Sequence, residues 1–330
     1  MPQILPNSFR DAVQCQVASH SPRTFLRSDC ALRPPRQLLD WFLGNSYLQL
    51  TIMAAIWGSS WMAASILSRN QIPAIYSSLG RFTFGALGLL LIMSQMRPWP
   101  RPSKNVAWRL VAMGFFGVFA YNICFFNGLR TVPSGRASLM ASLQPSLVFL
   151  YSRLFLGDRA TPLKLCGLAL SLSGAILVLT QGDPARLFAS GMGTGDIWIL
   201  GTVVSWVSYT LIGRSVSAEI DSLPATAYAI WAGLGMLVIY AVAAGTPVPQ
   251  LNTPAFWWIS AYLGLAGTTL AFVLFQRGIE RLGAARTSIF INLVPVFSVL
   301  SSSLVLGEAV TLPTLLGGAL ALTGVRLINR

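Results

Sequence analysis

Arg81 is the residue of this sequence best placed to do chemistry, because it is a cation inside a long apolar segment. A charge buried in a membrane is costly, so an arginine there faces protein or water rather than lipid. One interpretation is that its guanidinium binds the carboxylate of a ligand. The other is a structural contact with carbonyl groups of a neighbouring helix, and the residue alone leaves both open.

Several polar side chains also interrupt apolar segments, among them the carboxamides of Asn122, Gln144 and Asn292. An amide in such a place needs a hydrogen-bond partner, which is a ligand, water or another helix. We therefore take all three as candidate substrate-binding residues. Bonding between helices is the alternative, and it is the simpler explanation for any single one of them.

Five aromatic residues with a polar tip lie well inside apolar segments: Trp57, Trp61, Trp206, Tyr209 and Trp231. Tryptophan and tyrosine offer a flat apolar surface together with one hydrogen-bonding group. This combination suits a cavity that accepts apolar or aromatic molecules, so we predict that these residues line it. Packing between helices is the alternative.

Two prolines, Pro145 and Pro295, lie in the middle of apolar segments and are 150 positions apart. A proline removes one helical hydrogen bond and clashes with the preceding turn, so it kinks or opens a helix. We interpret the pair as hinges beside a cavity, with static kinks as the alternative.

The sequence also lacks several reactive groups in its apolar segments. The acidic residues fall near the segment ends, and the single histidine, His20, lies in the N-terminal region. Proton exchange through a membrane carboxylate or a histidine relay is therefore disfavoured. With no catalytic set, metal-ligand cluster or nucleotide-binding motif in view, we predict no enzyme activity, no metal and no cofactor.

The composition predicts that these residues lie in a membrane. The chain has 330 residues, of which 54% are hydrophobic and 10% charged, and its mean hydropathy is +0.63. Soluble domains carry about 25% charged residues, whereas a spanning helix needs about 20 apolar residues. Ten apolar runs are long enough: 47–67, 74–96, 108–128, 137–156, 162–181, 196–213, 224–244, 256–276, 285–306 and 311–328.

The basic residues predict the orientation of these ten helices. The net charge is +13, but 18 of the 23 Lys and Arg residues fall in segments that share one side if the N-terminus is cytoplasmic. Such a bias marks the cytoplasmic side. We predict cytoplasmic termini and a lipid bilayer, rather than nucleic acid, as the surroundings.

An internal repeat organises the chain. LQPSLVFLYSRLFLGD at 143–158 corresponds to LVPVFSVLSSSLVLGE at 293–308, and about 21 of 70 positions are identical at an offset of 150. Five helices per half is an odd number, so the second half must enter the membrane from the opposite side. We predict an all-α membrane protein of two inverted five-helix repeats at 47–181 and 196–330. A linker at 182–195 joins them, and 1–46 is expected to be a disordered cytoplasmic tail.

Several stretches resemble one known family. The first half carries WGSSWMAAS at 57–65, Arg81-Phe82, SLQPSLVFLYSRLFLGD at 142–158 and CGLALSLSGAILVL at 166–179. The second half carries Trp206, NLVPVFSVLSSSLVLGE at 292–308 and LGGALALTGVRLI at 316–328. These stretches resemble the EamA-type branch of the drug/metabolite transporter superfamily. The resemblance implies ten helices, export of amino acids or metabolites, and a place in a bacterial cytoplasmic membrane.

The main hypothesis is therefore a carrier that exports small metabolites, above all amino acids or related zwitterions, by alternating access. The first rival is an efflux carrier of the same fold for drugs or other apolar or cationic compounds. An intramembrane enzyme and a non-transporting scaffold or sensor are further rivals. The partners expected are a small-molecule substrate and the bilayer, and the oligomeric state is left open.

Overall fold

The structure is a computed structural model that describes residues 45–95, 98–155, 161–183, 193–247 and 253–328. It is helical, and no strand occurs in these ranges. The helices are α1 (Ser46–Arg69), α2 (Ala74–Ser94), α3 (Lys104–Gly128), α4 (Ser134–Ala141), α5 (Gln144–Phe155), α6 (Pro162–Thr180), α7 (Thr194–Val216), α8 (Ser222–Ala243), α9 (Pro254–Leu282), α10 (Ala284–Ile291), α11 (Val294–Leu306) and α12 (Leu312–Ile328).

Each predicted apolar run is occupied by helix, and eight spans are long and apolar enough to cross a membrane. Two of the predicted runs do not form a helix of this length. The run at 137–156 is divided between α4 and α5, and the described part of the last run, α12, has 17 residues. The predicted tail at 1–46 lies outside the described residues except for its last two positions.

The helices of the two halves recur at the sequence offset of 150. Helix α3 begins at Lys104 and α9 at Pro254, and the starts of α4, α5 and α6 recur in the same way at α10, α11 and α12. Both α3 and α9 also contain a π-helical stretch, Phe115–Ala120 and Tyr262–Leu270. The repeat seen in the sequence is therefore also a repeat of secondary structure.

The two helix breaks occupy equivalent positions. Residues 142–143 separate α4 from α5, and residues 292–293 separate α10 from α11. Pro145 and Pro295 each stand second in the helix that follows the break. A proline is tolerated in the first turn because the N–H it lacks has no helical partner there. Both prolines thus begin new helices, whereas a role as hinges stays a prediction.

Close approach of α2 and α9 brings Arg81 into the centre of the bundle. A Cβ atom on Gly264 would collide with the carbonyl oxygen of Arg81 and come within 2.7 Å of the Gly85 nitrogen. Only glycine leaves room for the two backbones there. The contact places Arg81 directly against the π-helical stretch of α9.

Candidate functional site

A cavity of about 650 Å³ lies between the helices of both halves. Its lining is mostly apolar, and Arg81 is the one charged residue among the described residues that line it. Ten of the eleven predicted site and hinge residues also line it: Trp57, Trp61, Arg81, Asn122, Gln144, Pro145, Trp206, Tyr209, Asn292 and Pro295. A mostly apolar pocket with a few convergent polar groups is typical of a ligand site.

The guanidinium of Arg81 is held by side chains of two neighbouring helices. Its Nε donates to Thr268 Oγ1 at 3.3 Å, and its Nη1 donates to Asn122 Oδ1 at 3.2 Å. Its carbon lies 6.0 Å from the centroid of the Phe125 ring. An arginine has five N–H donors, and these contacts use two. No carboxylate pairs with Arg81 in the described part of the chain.

The two partners of Arg81 are positioned by the π-helical stretches. Thr268 lies within one stretch, where its hydroxyl donates to the Leu263 carbonyl at 3.0 Å. Asn122 follows the other stretch, and its Nδ2 donates to the Val118 carbonyl at 2.9 Å. Single π-helical turns within α-helices are frequent at functional sites. Asn122 thus contacts Arg81 and its own helix, which matches the interhelical alternative.

A continuous row of aromatic rings, here named the aromatic wall, crosses the cavity. The ring centroids of Trp61 and Phe125 are 4.8 Å apart, and those of Phe125 and Tyr121 are 5.7 Å apart. The row continues from Tyr121 to Trp206 at 5.5 Å and from Trp206 to Tyr209 at 5.2 Å. Arg81 thus lies beside the Phe125 part of a flat apolar surface.

Tyr121 and Phe125 were missed by the sequence analysis, although a signal was present. They are four residues apart on α3, and Val118 and Asn122 share the same helical spacing and also line the cavity. Residues at such spacing lie on one face of a helix. A polar residue within that face marks it as the side turned toward the cavity.

Trp57 lines the cavity and also joins α1 to α9. Its indole Nε1 donates to the Gly267 carbonyl at 2.9 Å. Its ring packs against Phe272 and Phe275, with centroid distances of 5.4 and 5.5 Å. Trp57 can therefore both line a substrate cavity and pack two helices together.

Three carboxamide side chains face the cavity without a hydrogen bond to any described residue. They are Gln144, Asn292 and Gln276, the last of which the sequence analysis missed. Two of them lie at the helix breaks, where the prolines cannot donate to the carbonyl groups of Ala141 and Ile291. Both of those residues also line the cavity. The breaks therefore leave two carbonyl groups without their usual helical donor in residues that line the cavity.

Trp231 is the exception among the predicted site residues, because it does not line the cavity. Its indole Nε1 donates to the Ala86 carbonyl at 3.4 Å. Its ring lies 5.7 Å from the ring of Trp99 and 5.7 Å from that of Tyr228. The structure thus corrects the prediction: Trp231 packs α8 against α2. Its position inside an apolar run cannot reveal which neighbour its ring contacts.

The cavity reaches one end of the bundle, here named the mouth. Its lining extends to Ser217, Ile220 and Ser222 between α7 and α8. Helix α7 begins at the other end, where Asp196 pairs with Arg136 at 3.0 Å. Its 23 residues span about 34 Å, at about 1.5 Å per residue. The mouth and this ion pair therefore lie at opposite ends of α7.

Membrane-length helices around a shared cavity define this chain as a helical, multi-pass membrane protein, and comparison with known proteins gives its family. The profile of the EamA-like transporter family matches residues 45–180 and again residues 193–330. The chain therefore belongs to the EamA-like transporter family.

Curated relatives of similar length are named as transporters. The chain is 28% identical to the uncharacterized transporter YyaM of Bacillus subtilis (strain 168), over 85% of this chain and 92% of that protein. It is also 28% identical to a probable terminal-alkyne amino-acid exporter of Streptantibioticus cattleyicolor, over 87% of this chain and 94% of that protein. A solved crystal structure with 21% sequence identity has a TM-score of 0.61 and covers 85% of this chain and 97% of that one, which supports the fold alone.

Proposed function

We propose that this protein exports amino acids or related zwitterions across a bacterial cytoplasmic membrane by alternating access. The observation that carries the proposal is Arg81, an arginine with free donors and no carboxylate partner among the described residues, in a cavity otherwise lined by uncharged groups. Such a charge is costly inside a membrane unless it has a function or a partner. A carboxylate of the substrate supplies that partner through charge-assisted hydrogen bonds.

The helix breaks supply hydrogen-bond acceptors for the ammonium group of a zwitterion. The side-chain oxygens of Gln144 and Asn292 are acceptors suited to an ammonium group. The C-terminal ends of α4 and α10 add the partial negative charge of helix dipoles at the same places. Broken helices whose ends bind polar parts of the substrate are a recurrent feature of membrane carriers. One relative is named a probable amino-acid exporter, which favours the same substrate class.

The aromatic wall favours substrates with an apolar side chain. Flat rings bind apolar groups mainly through buried area, and they tolerate differences in shape. We therefore expect the cavity to select for one carboxylate and an apolar body, with little discrimination between similar side chains.

The proposal includes ten membrane helices in two inverted halves, at 47–181 and 196–330, and helix directions support it. Helix α2 runs parallel to α9, because Gly80 lies beside Ser260 and Gly88 beside Thr269. Helix α8 runs antiparallel to α2 and parallel to α3. The antiparallel direction follows from the contacts of Tyr76 with Thr246 and of Ala86 with Trp231. The parallel direction follows from the contacts of Gly114 with Ala229 and of Val118 with Gly233. Hence α3 and its repeat counterpart α9 run in opposite directions.

Efflux of cationic drugs is the rival function within this fold. A cation would have to bind beside Arg81 with no acidic side chain among the described lining residues. Like charges in a medium of low dielectric constant repel strongly. The charge of the cavity therefore favours the carboxylate substrate.

The test is efflux from proteoliposomes loaded with an equimolar set of amino acids, the corresponding amines without a carboxylate, and a cationic dye. We expect Arg81→Gln to lower amino-acid efflux at least about tenfold, because a hydrogen bond to a charged group contributes about 1.5–3 kcal/mol. The matched control is Arg153→Gln, which removes an exposed arginine of α5. Equal amino-acid efflux by both variants, or faster efflux of the amines and the dye, would contradict the proposal.

A further inference from the structure

Glu308 joins three helices at the end of the bundle opposite the mouth. It follows α11, and its carboxylate pairs with Arg69 at the end of α1. The same carboxylate accepts from the backbone N–H groups of Ser134 and Gly135, at 3.2 and 3.3 Å. We name the group Arg69, Ser134, Gly135, Ser302 and Glu308 the end cluster. The substrate site described above uses none of these residues.

The carboxylate of Glu308 acts as an N-terminal cap for a helix that is distant in sequence. The first N–H groups of any helix have no partner within the helix, and a negative charge is favourable at that end. Ser134 and Gly135 are the first two residues of α4. The side chain of Glu308 is 11% exposed, against 39% for that of Arg69. Charge-assisted bonds in such a partly buried place are stronger than exposed ones.

Two further hydrogen bonds hold α11 against α4. The hydroxyl oxygens of Ser134 and Ser302 are 2.7 Å apart, and the Ser298 hydroxyl donates to the Ser134 carbonyl at 3.3 Å. Arg69 pairs with Glu308 and makes no hydrogen bond to α4 among the described residues, so it is a positioning residue for the carboxylate. Direct contact between the two helix ends is made by Glu308 and the serines.

The helices joined by the end cluster pack against one another and also against further helices. Helix α11 packs on α1, where Gly58 lies against Val294 and Phe297. Helix α4 is tied elsewhere, because Arg136 pairs with Asp196 of α7 and donates to the Leu179 carbonyl of α6 at 2.8 Å. The end cluster therefore adds charged and polar bonds where α1 and α11 meet α4, which also contacts α6 and α7.

The packing beside the end cluster leaves room for movement. A second cavity of about 210 Å³ lies there, lined by Gly135, Val299, Ser302 and Glu308 among others. Residues 142–143 end α4, and residues 292–293 precede α11, so each segment is already separated from the rest of its span. Short segments bounded by breaks can tilt without unwinding a long helix.

We infer that Glu308 is the latch that keeps this end of the substrate cavity closed, and that its release opens the cavity to the other side of the membrane. The inference rests on the proposed function, because alternating access requires such a closed end. Loss of the carboxylate removes the cap of α4 and the charged bonds of the end cluster. The population of molecules open at this end then rises.

The test measures access to the cavity and needs no substrate. Cys15, Cys30, Cys124 and Cys166 are replaced by alanine, and Thr210→Cys, at an exposed cavity-lining position of α7, becomes the reporter. A membrane-impermeant maleimide is applied to sealed vesicles of each orientation. In the parent protein, we expect labelling only from the face that carries the mouth.

In Glu308→Gln and Glu308→Ala, we expect labelling from the opposite face to rise at least about fivefold, as for a shifted two-state equilibrium. The matched control is Glu280→Gln, at an exposed position of α9, which should leave both rates unchanged. Opposite-face labelling that stays at the parent rate in both Glu308 variants would overturn the inference.

A pair of introduced cysteines tests the latch in the Glu308→Gln protein. The distance of 2.7 Å between the hydroxyl oxygens favours a disulfide in Ser134→Cys/Ser302→Cys. We expect oxidation to abolish the opposite-face labelling of the Thr210→Cys reporter that Glu308→Gln produces, and reduction to restore it. Labelling from that face that continues after oxidation would contradict the latch. If the Glu308 and cysteine variants behave as expected but amino-acid efflux is absent, the proposed substrate is refuted and the role of Glu308 as a latch is retained.

Discussion

The guanidinium of Arg81 is oriented before any ligand binds. Thr268 and Asn122 hold two of its N–H groups, and the Phe125 ring lies beside it. Fixing a charged group in advance reduces the entropy lost when a substrate binds. Asn122, a candidate substrate-binding residue from the sequence, lines the cavity and also contributes to this orientation. The functional interpretation of Arg81 itself stays a prediction.

Trp206 and Trp231 illustrate how similar residues acquire different roles. Both are tryptophans inside apolar helices, but Trp206 belongs to the aromatic wall and Trp231 packs against Trp99 and Tyr228. The sequence cannot separate them, because the neighbours of each ring come from other helices. A matched pair of substitutions, Trp206→Ala and Trp231→Ala, can distinguish the two roles.

Trp206→Ala should raise the apparent KM for substrates with large apolar side chains. An aromatic contact contributes about 0.5–1.5 kcal/mol beyond its buried area, so the increase should be about two- to tenfold. Measurement of efflux kinetics for alanine, leucine and phenylalanine would show whether the effect grows with side-chain size.

Trp231→Ala is the control for this prediction, since it removes the same side chain outside the cavity. It should lower thermal stability in detergent and leave the order of KM values unchanged. If both variants changed KM alike, the aromatic wall would not be a binding surface.

At the scale of elements, the broken helices are the feature that most separates this chain from a simple bundle. Each break leaves irregular backbone at membrane depth, which is tolerated where it lines a cavity. Ala141, Gln144, Ile291 and Asn292 all line the cavity at these breaks. The prolines therefore matter for where acceptor groups are placed, whether or not they move.

Helices α6 and α12 form the most extensive helix pair, and small residues set their distance. A Cβ atom on Gly174 would collide with the Gly317 carbonyl oxygen and lie 2.5 Å from the Ala321 nitrogen. We expect Gly174→Ala to force the helices apart and destabilise the protein by about 1–3 kcal/mol. Thermal unfolding in detergent would measure the loss.

Gly235→Ala is the matched control in α8, because a Cβ atom there meets nothing within 4 Å. Alanine is the better helix former by up to about 1 kcal/mol, so this variant should unfold at the same or a higher temperature. A Gly174→Ala protein as stable as Gly235→Ala would show that the α6–α12 contact tolerates expansion.

At the scale of the whole molecule, the proposed inverted arrangement predicts which loops share a side of the membrane. Cysteines introduced at Arg101 and Ala244, both exposed, should be labelled from opposite faces. The face that labels the cysteine at 101 should be cytoplasmic, because basic residues concentrate there. An impermeant maleimide applied to intact cells and to inverted vesicles would check this. Labelling of both positions from the same face would exclude the ten-helix topology.

Much of the architecture was predictable because local sequence determines where membrane helices form. Each run of about 20 apolar residues must satisfy its own backbone hydrogen bonds, so it forms a helix whatever its neighbours are. The offset of 150 then located equivalent elements, including both prolines. Helix ends differed from the predicted runs by a few residues, because polar caps and first turns extend beyond the apolar part, as at Thr194 and Ser222.

The sequence by itself determined the family, the helical membrane character and a set of candidate residues, since these depend on composition, local periodicity and motif spacing. Only the tertiary structure decided which candidates meet in one cavity. It separated Trp206 from Trp231 and paired Asn122 with Arg81, and it left the side chains of Gln144 and Asn292 without a hydrogen bond to any residue it describes. It also brought Glu308 to Ser134, 174 positions away in the chain. The physical reason is that such contacts depend on how helices approach and rotate against each other, which is fixed by packing across the whole bundle.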